Sequence, residues 1–173
     1  MIRRARAEDA QEIGEVFVTS LETLTFLPRL HTAEQTRRFI GEIVPRDHEI
    51  WVAEDDGRVV GLAAIGKDTL GHLYVHPDWH GRGFGSALLA KTKELRPRGF
   101  TLWTFPQNER ACRFYEQRGL HPIRFTDGSR NEEKLPDVQY EWKPPTPASA
   151  AAGRESSGRS RGAGSRSSLR RSP

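Results

Sequence analysis

Three alternating glycines between a predicted strand and a predicted helix constrain this chain more than any other feature. The strand spans Leu70–Val75, the glycines stand at positions 81, 83 and 85, and helical periodicity begins at Gly83. Glycine lets the backbone adopt left-handed dihedral angles and approach a ligand closely. Because the first N–H groups of a helix are unpaired and carry partial positive charge, this turn predicts a phosphate-binding site, to which Arg82 adds a charge-assisted contact.

Three kinds of phosphate site compete for this turn. A P-loop requires Gly-Lys-Ser/Thr, and the turn contains no lysine. A dinucleotide-binding turn requires Gly-x-Gly-x-x-Gly, and Ser86 or Leu88 occupies the position of the last glycine. The pyrophosphate arm of coenzyme A is the third interpretation. A tight turn that only packs a helix against a sheet remains the structural alternative.

The hydrophobic pattern of the rest of the chain predicts short strands mixed with helices. A capping box at Thr32–Gln35 begins a second helix that Pro45 ends, and Asp55–Arg58 is a predicted hairpin turn. The predicted order is β-α-α-β-β-β-α-β-α-β-β. Because hairpins alternate with helical crossovers, the expected class is α/β (α+β mixed), with a central, mostly antiparallel mixed sheet and about four flanking helices.

A second motif follows at Asn108–Leu120, where a helix is predicted. Asn108 is a favourable N-cap residue. Tyr115 lies seven residues later, about two helical turns, so the two side chains project to nearly the same side. This helix alone favours the interpretation of Tyr115 as a core residue beside Ala111 and Phe114.

Together the two motifs resemble the GNAT superfamily of acyl-CoA-dependent N-acetyltransferases. The family pattern Gln/Arg-x-x-Gly-x-Gly/Ala falls on His80, Gly83 and Gly85, with histidine at the first position as a departure. The second family signature, Asn-x-x-Ala-x-x-Phe-Tyr-x-x-x-Gly-Phe, matches from Asn108 onwards, with Leu120 in place of the final Phe. The resemblance covers about residues 1–143.

This resemblance implies an N-acetyltransferase that moves an acetyl group directly from acetyl-CoA, its acyl-donor cosubstrate, to a primary amine of a small molecule or protein, without a metal. Tyr115 is expected to donate a proton to the leaving thiolate, since a phenol has a pKa near 10. The expected cofactor-binding residues are Leu73, Tyr74, Val75, His80, Gly81, Arg82, Gly83, Phe84, Gly85, Ser86 and Asn108. The alternatives are a non-catalytic acyl-CoA-binding relative and nucleic-acid association through a basic tail.

The base that takes the proton of the acceptor amine is less constrained. His72 is the first candidate, because it lies on the strand where the family often carries a carboxylate base and because imidazole titrates near pH 6.5. Glu54 is the second candidate, and a water chain is the third. Cys112 is interpreted as a small helix residue, since direct transfer needs no thiol nucleophile. The segment 24–30 and the acidic loop Asp127–Asp137 are candidate walls of the acceptor site.

Charge divides the chain of 173 residues at Pro144. The formal net charge is +4, but residues 144–173 contain six arginines and one acid, so residues 1–143 carry −1. We therefore predict an acetyltransferase domain at 1–143 and a disordered basic Ser/Arg/Gly/Ala/Pro-rich tail at 144–173. The tail lacks aromatic residues, so no specific nucleic-acid binding is expected. A single cysteine and the absence of a ~20-residue apolar stretch predict a cytoplasmic protein without a membrane partner, and a homodimer stays open.

Overall fold

The computed structural model describes residues 1–146 and confirms the mixed α/β class. Within those residues it contains seven strands and four α-helices. In chain order these are β1 (Ile2–Arg4), α1 (Ala10–Glu22), α2 (Ala33–Arg38), β2 (Glu49–Asp55), β3 (Arg58–Ile65), β4 (Leu70–Val75), α3 (Phe84–Leu95), β5 (Phe100–Thr104), α4 (Glu109–Glu116), β6 (His121–Thr126) and β7 (Asp137–Trp142). The predicted tail lies outside the described residues, except for positions 144–146. No helix of the described part is long and apolar enough to span a membrane.

The strands form two antiparallel sheets rather than one continuous sheet. Strands β1-β2-β3-β4 make the first sheet and β5-β7-β6 make the second. A single parallel bridge between Thr69 and Thr101 joins them, supported by the Thr101 N–H donating to the Asp68 carbonyl at 3.0 Å. Since no ladder pairs β4 with β5 beyond this bridge in residues 1–146, the two strands separate towards their C-terminal ends and open a cleft.

The first sheet is covered on both faces. Helix α1 packs against β3 and β4, with Ile13, Val16 and Phe17 buried in one hydrophobic core. Helix α3 packs against the opposite face, with Leu88 and Leu89 buried in the other core. Each fully buried aliphatic side chain contributes about 1.5–3 kcal/mol. The two cores hold the C-terminal end of β4 between α1 and α3, beside the cleft.

The second helical segment begins as predicted and then changes geometry. Thr32 Oγ1 accepts from the Gln35 N–H at 3.1 Å, and Gln35 Oε1 accepts from the Thr32 N–H at 2.9 Å, which confirms the capping box. After α2 the chain makes a wider π-helical turn over Phe39–Ile43 and a 3-10 turn over Val44–Arg46. Pro45 has no N–H to donate, so regular α-helical hydrogen bonding cannot continue through it.

Candidate active site

The cleft between β4 and α4 contains a cavity of about 390 Å³. Eleven of the thirteen residues predicted from the sequence as cofactor-binding or catalytic line this cavity, whereas Arg82 and His72 do not. The eleven are Leu73, Tyr74, Val75, His80, Gly81, Gly83, Phe84, Gly85, Ser86, Asn108 and Tyr115. The two sequence motifs, separated along the chain, therefore meet at one space.

The glycine turn has the geometry that phosphate binding requires. Gly81 and Gly83 have φ of 79° and 86°, in the left-handed region that favours glycine. A Cβ at either position would meet nothing within 4 Å, so the dihedral angles and not crowding require glycine. The Ala87 N–H donates to the Gly83 carbonyl at 3.0 Å as the first bond of α3. The backbone N–H groups that precede Ala87 have no acceptor within the helix, and they lie at the end of α3 beside the cavity.

Two arginines that the sequence did not single out supply positive charge beside this turn. Arg118 donates to Ser86 Oγ at 3.0 and 2.7 Å, and its guanidinium lies 4.0 Å from the centroid of the Phe114 ring. Arg110 also lines the cavity. Arg82 does not line the cavity, and its NH1 lies 3.8 Å from Asp55 Oδ2 instead. No local pattern distinguishes Arg110 and Arg118 from other exposed helix arginines, because tertiary packing brings them to the turn.

His80 connects β4 to α4 through both ring nitrogens. Its Nδ1 lies 2.7 Å from Arg110 NH1, and its Nε2 lies 2.8 Å from the Val75 carbonyl oxygen. Because arginine can only donate, Nδ1 is the acceptor and Nε2–H donates to Val75. Burial lowers the pKa of His80 from its ordinary value, which is consistent with this neutral tautomer. His80 thus lines the cavity with both nitrogens already bonded to protein groups.

Asn108 and Tyr115 occupy the α4 side of the cavity. Asn108 Oδ1 accepts from the Ala111 N–H at 3.2 Å, which confirms the predicted N-cap. Tyr115 is 7% exposed, and its hydroxyl has no hydrogen-bond partner among residues 1–146. Burial raises the pKa of Tyr115 above its ordinary value of 10. The phenol therefore stays protonated at physiological pH and can donate a proton to a group in the cavity.

His72 lies in an aromatic cluster on the α1 face of β4. Its ring is 5.2 Å from that of Phe17, 5.7 Å from that of Phe39 and 6.2 Å from that of Tyr74, between centroids. Burial, with a smaller effect of His48, lowers the pKa of His72 to about 4. His72 is therefore neutral at physiological pH, and the structure does not bring it into the cavity lining.

Glu54, the second candidate base, is committed to an ion-pair network. Arg3 Nε donates to Glu54 Oε2 at 2.6 Å, and the same guanidinium donates to both oxygens of Asp9 at 2.7 and 2.8 Å. The hydrogen bonds from Arg3 lower the pKa of Asp9 below its usual range. Glu54 lines neither of the two cavities described in this section.

A second cavity, of about 430 Å³, adjoins the first. Its walls are the end of α1, the segment that follows it, and Glu132 and Glu133 of the loop between β6 and β7. Leu24 lines both cavities. His31 Nε2 lies 2.7 Å from Glu132 Oε1, linking two segments 101 residues apart in sequence. Within residues 1–146, no cluster of three or more His, Cys, Asp or Glu residues suited to a metal ion occurs.

Comparison with known proteins agrees with this geometry. Residues 46–120, which include the cleft strand and both motifs, match the model of the acetyltransferase (GNAT) domain. Peptidyl-lysine N-acetyltransferase YjaB of Salmonella typhimurium is 29% identical over 121 residues, covering 69% of this chain and 81% of that protein. An uncharacterized N-acetyltransferase of Archaeoglobus fulgidus is 29% identical over 135 residues, covering 69% of this chain and 91% of that protein.

Solved structures share the fold. The solution structure of apo YjaB from Escherichia coli superposes with a TM-score of 0.70 at 24% identity, covering 82% of this chain and 96% of that one. The PaiA N-acetyltransferase of Thermoplasma acidophilum, solved in complex with coenzyme A, gives a TM-score of 0.65 at 20% identity, covering 83% of this chain and 98% of that one. Residues 46–120 are therefore similar to the GNAT acetyltransferase domain, and the described part of the chain shares the fold of these acetyltransferase structures.

Proposed function

We propose that this protein transfers an acetyl group from acetyl-CoA directly to a primary amine. The observation that carries the proposal is the meeting of the left-handed glycine turn with Asn108 and Tyr115 around one cavity. The lining of that cavity includes a turn that suits a polyanion and a phenol that stays protonated. A pantetheine thioester with its pyrophosphate requires both features along its length.

The pyrophosphate is assigned to the N-terminus of α3. The unpaired N–H groups after Gly83 and the helix dipole favour negative charge there. Arg110 and Arg118 line the same cavity and add charge-assisted donors, since arginine suits phosphate oxygens. Coenzyme A should therefore bind more weakly as salt concentration rises.

The pantetheine arm is assigned to the edge of β4. Leu73, Tyr74 and Val75 pair with β3 on one side, while their other edge faces the cleft that β5 does not close. Asn108 lines the cavity and uses its oxygen as the helix cap, which leaves its amide NH₂ available to donate. Backbone and amide donors of this kind can hold the amide groups of an extended arm.

In the transfer step the amine nitrogen attacks the thioester carbonyl carbon, a C–N bond forms and the C–S bond breaks. Tyr115 supplies the proton that converts the departing thiolate to a thiol. We propose that water in the cavity takes the proton of the amine. This alternative, open from the sequence, is favoured because His72 lies in the aromatic cluster and Glu54 is bonded to Arg3.

The acceptor is assigned to the amine class. YjaB, 29% identical, bears the name of a peptidyl-lysine N-acetyltransferase, which supports a lysine-type amine for this chain as well. The cytoplasmic location predicted from the single cysteine stays a prediction.

The direct test measures cofactor binding through stability. At acetyl-CoA concentrations about 100 times the dissociation constant, linkage predicts a gain of about 2–3 kcal/mol in the free energy of unfolding. Thermal melts with acetyl-CoA, and thiol release in the presence of an amine panel, provide the two readouts. No melting shift together with no heat of binding in calorimetry would reject the assignment of the cavity to acetyl-CoA.

A further inference from the structure

The second cavity combines an apolar wall with an acidic rim. Leu21, Leu27 and Leu30 contribute apolar surface, whereas Glu22, Glu132 and Glu133 contribute three carboxylates. Arg29 is the one lysine or arginine among the lining residues, all of which belong to the described part of the chain. The rim therefore carries an excess of negative charge over an apolar surface long enough for a methylene chain.

Tyr74 lines the first cavity, and Leu24 lines both cavities, so the two adjoin there. Burial, and to a smaller extent the charge of Glu133, raises the pKa of Tyr74 to about 12. The carboxylates of the second cavity therefore lie in a space that adjoins the one Tyr74 lines.

Resting on the proposed acetyl transfer, we infer that the second cavity selects a primary amine whose chain carries a second positive charge. Glu22, Glu132 and Glu133 are the specificity-determining residues, and Leu24, which lines both cavities, marks the junction through which the reacting amine meets the thioester. The volume, about 430 Å³, is in the lower part of the range for small-molecule sites, so it accommodates one linear chain. Linear diamines and lysine side chains beside another cationic residue share this chemistry.

His31 and Glu132, which contact each other, both line this cavity. Their side chains are 51% and 63% exposed, so the interaction is screened by water and is weak. A cation of the acceptor competes with His31 for Glu132 at little cost. Glu133 and Glu22 have no ion-pair partner among residues 1–146, so they are available to the acceptor from the start.

The test compares 1,5-diaminopentane with 1-aminopentane as acceptors for the full chain. The two have the same carbon chain and differ by the second ammonium group. Because an exposed charge pair contributes about two- to fivefold, three carboxylates should give the diamine an advantage of about tenfold or more in kcat/KM. The advantage should appear in KM, since the distal cation contacts the rim equally in the ground state and in the transition state. Equal kcat/KM values for the two amines would overturn the inference.

The double variant Glu132→Gln, Glu133→Gln should reduce the diamine advantage to about threefold or less, with little change for 1-aminopentane. The matched control is Glu94→Gln on α3. Glu94 is 66% exposed and pairs with Lys91 at 2.7 Å, much as Glu132 pairs with His31, but it lines neither cavity. A preference that survives the double variant unchanged, or one that Glu94→Gln reduces equally, contradicts the assignment.

Two further experiments are needed. One distinguishes a small diamine from a peptide as the acceptor, and the other distinguishes failure of this inference from failure of the proposed function. Blocked peptides with lysine beside a second lysine, or beside glutamate, should be acetylated in that order of kcat/KM, and comparison with the diamine identifies the better source. Binding of 1,5-diaminopentane in the presence of coenzyme A is followed by thermal shift. If acetyl-CoA stabilises the protein but no dicationic amine binds or reacts preferentially, the acceptor inference fails and the cofactor assignment stands. If acetyl-CoA itself does not bind, the proposed function fails.

Discussion

Tyr74 and Tyr115 both line the first cavity, and Tyr115 is the phenol proposed to protonate the leaving group. The Tyr115 hydroxyl forms no hydrogen bond to another group of residues 1–146. Burial raises its pKa, so it stays protonated. Tyr115→Phe removes one oxygen and leaves the packing surface in place. We expect kcat to fall about 100-fold, at the low end for a lost general acid because a thiol leaves readily, with acetyl-CoA affinity nearly unchanged.

Tyr140→Phe is the matched control for this variant. Its ring centroid lies 6.0 Å from that of Tyr115, but its hydroxyl donates to Glu116 at 2.7 Å. Removing that bond should cost about 1 kcal/mol of stability while kcat stays within twofold. Turnover of Tyr115→Phe within twofold of the wild type, measured by thiol release, would remove Tyr115 from the mechanism.

His72 gives a prediction about stability rather than about turnover. Its pKa is about 4 in the folded protein and near 6.5 in the unfolded chain. Between these pH values the unfolded chain binds more protons, so the free energy of unfolding falls as pH is lowered from about 6.5 towards 4. The stabilisation is fully present above about pH 6.5. For this group the loss between pH 7.5 and pH 5 should be about 1–2 kcal/mol.

His72→Phe keeps an aromatic ring in the cluster and removes the titration. Urea unfolding at pH 7.5 and pH 5 should show a smaller difference for this variant than for the wild type. His121→Gln, at an exposed position at the start of β6, should retain the full difference. Identical pH dependence in His72→Phe and the wild type would show that His72 titrates normally and is accessible to solvent.

At the scale of elements, the turn before α3 is the most testable feature. Gly83 has a φ of 86°, which asparagine and aspartate tolerate better than other side chains. Gly83→Asn and Gly83→Asp have nearly the same size and differ in charge. Both should fold, and an N-cap aspartate favours the helix.

The charge difference should appear in cofactor binding. We expect Gly83→Asp to bind acetyl-CoA about 10- to 100-fold more weakly than Gly83→Asn, because its carboxylate opposes the phosphates. Isothermal calorimetry at low salt measures the two affinities, and melting temperatures verify that both variants are folded. Equal affinities would place the phosphates elsewhere.

At the scale of the whole molecule, the final strand β7 ends at Trp142, and Lys143–Thr146 are exposed. The composition of residues 144–173 cannot form a hydrophobic core. A chain ending at Lys143 should therefore melt within about 2 °C of the full chain and keep kcat for thiol release within twofold. Unfolding of the shortened chain, or loss of its activity, would show that the domain extends beyond Lys143.

Local sequence patterns were sufficient to predict the elements and eleven residues that line the first cavity. Positive φ at Asp56 and Gly57 follows from their place in a tight hairpin, and the cap at Thr32 follows from hydrogen bonds made within four residues. The helix beginning after Gly83 and the one after Asn108 were predicted for the same reason. These features depend on dihedral preferences and short-range hydrogen bonds, which the order of residues determines directly.

Only the tertiary structure decided which groups meet. The division of the sheet at the Thr69–Thr101 bridge, the placement of Arg118 on Ser86 and the enclosure of His72 all depend on contacts between distant segments. So does the second cavity, which joins residues more than a hundred positions apart. By itself the sequence determined that a glycine turn leading into a helix and a capped helix with a tyrosine exist. Their convergence in one cleft, and the side chains that flank it, depend on strand register and packing, which no local pattern encodes.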